Sequence, residues 1–174
     1  MMKRTAFPAI ACFVTLAFSV ACTETSTDAT TQAPPASEQP PHVEESTILQ
    51  SWQGEYPVAR LDLLPEEQRQ QAVGFIGDAE TFEAVWQAFR PGEDVPEIDF
   101  ETALVVFARN TQFYNRISIG KVNVTNGVAE VLAMETMSAM PIEDELAMSL
   151  AVIERRGITA IQAGDQNVPV HGEQ

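Results

Sequence analysis

The sequence predicts an α+β domain: a mostly antiparallel sheet of five or six strands, built from two hairpins and packed against one main amphipathic helix. Three observations carry that expectation. Phe82, Val85, Trp86 and Phe89 fall at i, i+3, i+4 and i+7, which places four large apolar side chains on one helical face. The segment Thr102–Ala108 reads TALVVFA, an apolar run of β formers suited to a strand covered on both faces. Asn126-Gly127 separates two alternating runs, and both central positions of such a turn need φ above zero, which Asn and Gly tolerate.

The elements follow in order. Ile48–Leu64, with Trp52, Tyr56 and the run Val58–Leu64, predicts a lead-in with one short strand. Pro65–Gln68 predicts a single helical turn, and Ala72–Ile76 a brief buried strand. The helix spans Ala79–Phe89, with Asp78 as its N-cap, Glu80 at its positive end and Arg90-Pro91-Gly92 as its stop. Around Asn126-Gly127, a two-residue turn pairs Val124 with Ala129 and Val122 with Val131. Ile117 and Ile119 have the opposite parity, so a one-residue bulge near Gly120-Lys121 is needed to bring all four to one side. A turn at Arg156-Gly157 predicts a second hairpin, pairing Val152 with Ile161 and Leu150 with Ala163.

Composition narrows the function. Of 174 residues, 10 are basic and 25 acidic, a net charge of −15. That balance argues against nucleic-acid binding and against electrostatic docking on anionic lipid, both of which need clustered Lys and Arg. No apolar run reaches the roughly 18 residues of a spanning helix. The organisation reads as a signal peptide at 1–21, a tether at 22–47, one folded domain at 48–163 and a polar tail at 164–174. Lys3 and Arg4, an apolar stretch to Val20 and small residues before Cys22 describe the secretory signal. The tether is rich in Thr, Ser, Pro, Glu and Gln, contains no aromatic residue, and cannot bury enough surface to offset its ordering entropy. Cys12 lies within the signal and leaves with it, so the mature domain has no disulfide.

Four constellations are candidates for chemistry. Met134-x-x-Met137-x-x-Met140, with Met148 nearby, offers soft thioethers suited to Cu(I); methionine also serves as a core gap filler. The segment 109–116 holds Arg109, Tyr114 and Arg116, residue types enriched at binding hot spots; the alternative is a loop whose arginines pair with neighbouring carboxylates. Glu93, Asp94, Glu97, Asp99 and Glu101 are either a carboxylate site or a solvated loop, and their spacing is not that of a calcium loop. Nucleophilic catalysis lacks a folded histidine, since His42 and His171 lie in the tether and the tail. The expectation is a non-enzyme that needs no cofactor, with Arg109, Tyr114 and Arg116 as its partner-binding residues.

The segment Ser19-Val20-Ala21-Cys22 resembles a bacterial lipoprotein signal. The resemblance implies cleavage after Ala21, acylation of Cys22, and a membrane partnership made through that anchor; Thr23 implies the outer membrane, with the domain facing the periplasm. A short strand leading to Phe82 and Trp86, then Pro96-Glu97-Ile98-Asp99-Phe100, an apolar strand and two hairpins, is similar to the PrcB-like carboxy-terminal domain family over about Val73 to Ala163. That family is a lipoprotein subunit of a bacterial surface protease complex. The likeness implies an accessory role beside an envelope protein and carries no catalytic residues.

Overall fold

The computed structural model describes residues 42–137 and 139–170. Nine strands among them form two sheets, with one main helix. The strands are β1 (Val43–Ser46), β2 (Ile48–Pro57), β3 (Val73–Ile76), β4 (Ala103–Arg109), β5 (Ile117–Thr125), β6 (Val128–Glu135), β7 (Glu145–Glu154), β8 (Ala160–Ala163) and β9 (Gln166–Pro169); the helix α1 is Ala79–Phe89. One sheet has the order β1-β5-β6-β8-β9 and the other β2-β7-β4-β3. All pairings are antiparallel except β6 with β8. The class is α+β, as expected, but the strands divide into two layers rather than one sheet of five or six.

The central pair shows why. β4 is buried along its whole length, and β7 at all but its two end residues. Alternate side chains serve opposite faces. Leu104, Val106, Ala151 and Ile153 pack with Ile117, Ile119, Val122 and Ile161 of the five-stranded sheet. Val105, Phe107, Leu150 and Val152 pack with Phe82, Val85, Trp86 and Phe89 of α1. The four-stranded sheet is therefore a middle layer, with the helix on one face and the second sheet on the other. The Asp78 carboxylate accepts the Thr81 amide at 2.7 Å, which fixes where the helix begins.

The first hairpin has the register its turn dictates, with Val124 opposite Ala129 and Val122 opposite Val131. Asn126 and Gly127 take φ of 52° and 82°. The register slips between Ile119 and Lys121, so the bulge lies at Gly120. It leaves the Ile119 amide facing the other sheet, where it donates to the Ser149 hydroxyl at 3.3 Å; that hydroxyl donates to the Trp52 carbonyl at 3.1 Å.

The second hairpin does not form. β7 is flanked on both edges, by β2 and β4, so it has no free edge for β8. Val152 lies opposite Gln50 and Val105, and Ile161 opposite Ala129 and Val168. Gly157 does turn the chain, at φ 77°, but the turn carries it from one layer to the other. The lead-in strand is ten residues long, and Val58–Leu63 forms a 3₁₀ turn rather than more strand. Both ends of the domain reach further than 48–163. β1 pairs with β5 and β9 with β8, so the last residues given to the tether and the first given to the tail are strands. The signal, Cys22, most of the tether and residues 171–174 lie outside the described residues.

Candidate functional site

Arg109 is buried rather than presented at the surface. It ends β4 at 4% exposure, where its Nε donates to the Gln71 carbonyl at 2.9 Å and a terminal nitrogen donates to the Arg69 carbonyl. Burial pushes its pKa down, an effect opposed by Tyr56. Its hydrogen bonds are spent tying the chain before β3 to the end of β4. Hot-spot residue type was the signal for this arginine, and residue type does not register burial.

Tyr114 and Arg116 are accessible, and the chain between them and β4 is built to hold them. Asn110 is buried; its Oδ1 accepts the amides of Gln112 and Phe113 at 2.9 and 2.7 Å, and its Nδ2 donates to Glu135 at 2.8 Å. This folds the loop back on itself. The Tyr114 amide then donates to the Met140 carbonyl at 2.6 Å, and Phe113 bridges Pro141. Two loops that are distant in sequence, 110–116 and 136–144, become one surface. Phe113, Met137 and Met140 stand exposed on it.

A cleft of about 240 Å³ opens beside this surface, lined by Gln53 and Glu55 of β2, Ile117 of β5, Ala147 of β7, and Tyr114 and Arg116. The Tyr114 hydroxyl donates to the Glu55 carboxylate. That bond holds the phenol pKa up at about 12, and it pulls Glu55 below the usual carboxylate range. Glu145 hydrogen-bonds the same carboxylate, and both that bond and its repulsion from Glu55 raise its pKa. The arrangement joins a phenol, two carboxyls and a guanidinium at a sheet edge: it can present polar groups to an extended ligand.

Glu55 and Glu145 were not legible in the sequence. Trp52, Gly54 and Tyr56 alternate, which sets Gln53 and Glu55 on the opposite face of the strand. Nothing local pairs that strand with β7, where Glu145 stands diagonal to Glu55 through the pair Pro57 and Glu145.

The methionines separate. Met148 is fully buried in β7 and fills the core beside α1. Met134 is 66% exposed on β6, Met137 fully exposed and Met140 58% exposed. The acidic segment 93–101 is irregular chain ending in a turn rather than a gathered site: Asp99 accepts the Glu101 amide at 3.0 Å and the Thr102 hydroxyl at 2.9 Å. Among the described residues no group of three or more His, Cys, Asp and Glu side chains is placed to hold a metal ion.

Fold and site together define a two-sheet α+β domain with one helix and a polar cleft at a sheet edge. No family model, no curated protein and no solved structure matches the chain.

Proposed function

We propose that this chain is a non-catalytic, lipid-anchored protein of the cell envelope, a binding or accessory module for another envelope protein. The observation that carries the reading is the joint surface of loops 110–116 and 136–144. It sets exposed Phe113, Met137 and Met140 beside Tyr114 and Arg116. Large apolar side chains next to Tyr and Arg form the composition of protein interfaces. The contact set is therefore Tyr114 and Arg116 without Arg109.

The anchor is acylated Cys22, in the outer membrane with the domain facing the periplasm. The likeness to the PrcB-like family supplies a protease as the class of partner. The order it rests on, β3 into α1, then Pro96–Phe100, then β4, is present; its second hairpin is not. Two measurements test the reading. Labelled palmitate is incorporated into the native chain and not into Cys22→Ser. An envelope protein is recovered with the native chain and lost with Tyr114→Ala plus Arg116→Ala. An unacylated chain, or unchanged recovery with that double variant, overturns it.

A second reading, a periplasmic Cu(I)-binding protein, is favoured by the exposure of the thioethers of Met134, Met137 and Met140, which are not spent in the core. Titration with Cu(I) against a competing chelator tests it: loss of competition in the triple Met→Leu variant supports the site, and no competition by the native chain ends it.

A further inference from the structure

The two sheets are open, so each presents two edges. Three of the four edge strands, β1, β3 and β9, are only four residues long. Each is also blunted. β1 carries Glu44 and Glu45, β9 ends in Pro169, and the outward Phe75 amide of β3 is taken by the Gln68 side chain at 2.6 Å. β2 is ten residues long and, among the described residues, pairs on one side only, with β7.

The register identifies its free groups. The Val58 amide donates to the Asp144 carbonyl at 2.8 Å, so that position is a hydrogen-bonded pair of the ladder. Alternation then turns the amides and carbonyls of Tyr56, Gly54 and Trp52 towards β7, and those of Glu55, Gln53 and Ser51 away from it. Among the described residues one outward group has a partner: Arg90 at the end of α1 donates to the Gln53 carbonyl at 2.5 Å. The side chains of Gln53 and Glu55 line the cleft on the same edge.

We propose that this edge is a strand-addition site: an extended segment of a partner protein joins the four-stranded sheet along Ser51–Glu55, and sets a lysine or arginine opposite Glu55, in the cleft. The occupant follows from charge. Glu55 lines the cleft and Glu145 stands diagonal to it across the β2–β7 pairing, in a chain of net charge −15. A cation opposite Glu55 is a favourable cross-strand pair and relieves the carboxyl pair. A second copy of this chain brings its own Glu55 and its own acidic surface to the same place. Main-chain bonding gives such a site affinity, and the cleft gives it selectivity. The inference rests on the binding-module reading and assigns it a second contact, next to the loop surface.

The probe is a short synthetic peptide of alternating threonine and valine with one central lysine, measured by fluorescence anisotropy against the full chain. Binding is expected, together with slowed hydrogen exchange at the Ser51, Gln53 and Glu55 amides. Replacing the lysine by glutamate is expected to weaken it about tenfold, and Glu55→Gln to weaken it about threefold. Ser51→Pro removes an outward donor and leaves the β7 ladder intact; it is expected to abolish binding with an unchanged melting temperature. If that variant unfolds, the exchange protection in the native chain still decides. No binding, equal binding of the glutamate peptide, or protection confined to other amides overturns the proposal. Self-association of the native chain, lost in Ser51→Pro, overturns it in favour of a second copy. Envelope-partner recovery that depends on Tyr114 and Arg116 while the peptide fails to bind would sink the edge alone and leave the module reading standing.

Discussion

The side-chain oxygen of Gln68 accepts the amide of Phe75 at 2.6 Å, deep inside the domain and seven residues away in sequence. A glutamine at 3% exposure thereby takes the place of a neighbouring strand on β3. Gln68→Ala leaves that amide without a partner, and a buried unsatisfied donor costs about 1–3 kcal/mol. The expected outcome is a lower urea midpoint at unchanged slope, read by tryptophan fluorescence.

Gly74 sits against the same bond. A Cβ there would lie 2.2 Å from the Gln68 oxygen and 2.4 Å from the Phe107 ring. Gly74→Ala must displace both, at a cost of about 1–3 kcal/mol or more. Pairing it with Gln68→Ala frees only one of the two clashes, so the double variant is expected to stay less stable than Gln68→Ala alone.

Arg109 is expected to stabilise rather than to recognise, because it is buried and hydrogen-bonded to main-chain carbonyls. Arg109→Met strands the carbonyls of Gln71 and Arg69. The expected loss is about 1–3 kcal/mol, with partial recovery in Arg109→Lys, which lacks the planar fork. Envelope-partner recovery at a temperature where the variant is folded is expected to match the native chain. Selective loss of recovery would return Arg109 to the contact surface.

The chain has two tyrosines, and both are held up at about 12, Tyr56 chiefly by burial and Tyr114 chiefly by its bond to Glu55. The ultraviolet titration is therefore expected to show no phenol step near the ordinary value of about 10. Glu55→Ala is expected to return one of the two steps to that region. A raised phenol pKa gives stability that is complete below the unfolded value and is lost as pH rises through the folded one. The Tyr114 contribution accordingly disappears in the window from about 10 to 12, and Glu55→Ala flattens that part of the curve.

Gly127 stands at φ 82°, and a Cβ on it would lie 2.7 Å from the Thr159 hydroxyl. Gly127→Ala combines left-handed strain with that contact and is expected to cost about 1–3 kcal/mol. Asn126→Gly keeps the turn and is expected to change the melting temperature little.

What could be read in advance was local. The α1 stripe, its Asp78 cap, the Asn126-Gly127 turn and the bulge at Gly120 are fixed by residues within one element or one turn. The split into two sheets was not legible, because Arg156-Gly157 has the composition of a hairpin turn and only the occupied edges of β7 forbid a hairpin there. β1 and β9 escaped because VEES and QNVP are polar edge segments without apolar alternation. Half of the cleft was legible as Tyr114 and Arg116. The placing of Glu55 there, with Glu145 diagonal to it, depends on a pairing between strands at opposite ends of the domain.

That same pairing sets the timetable of folding. β2 is made early and β7 late, and among the described residues β7 is the strand hydrogen-bonded to both β2 and β4. The middle layer cannot close until Glu145–Glu154 is free to pair with both neighbours, however early the local β5–β6 hairpin forms. Closure of that layer depends on pairings far apart in sequence, the kind of contact that slows folding.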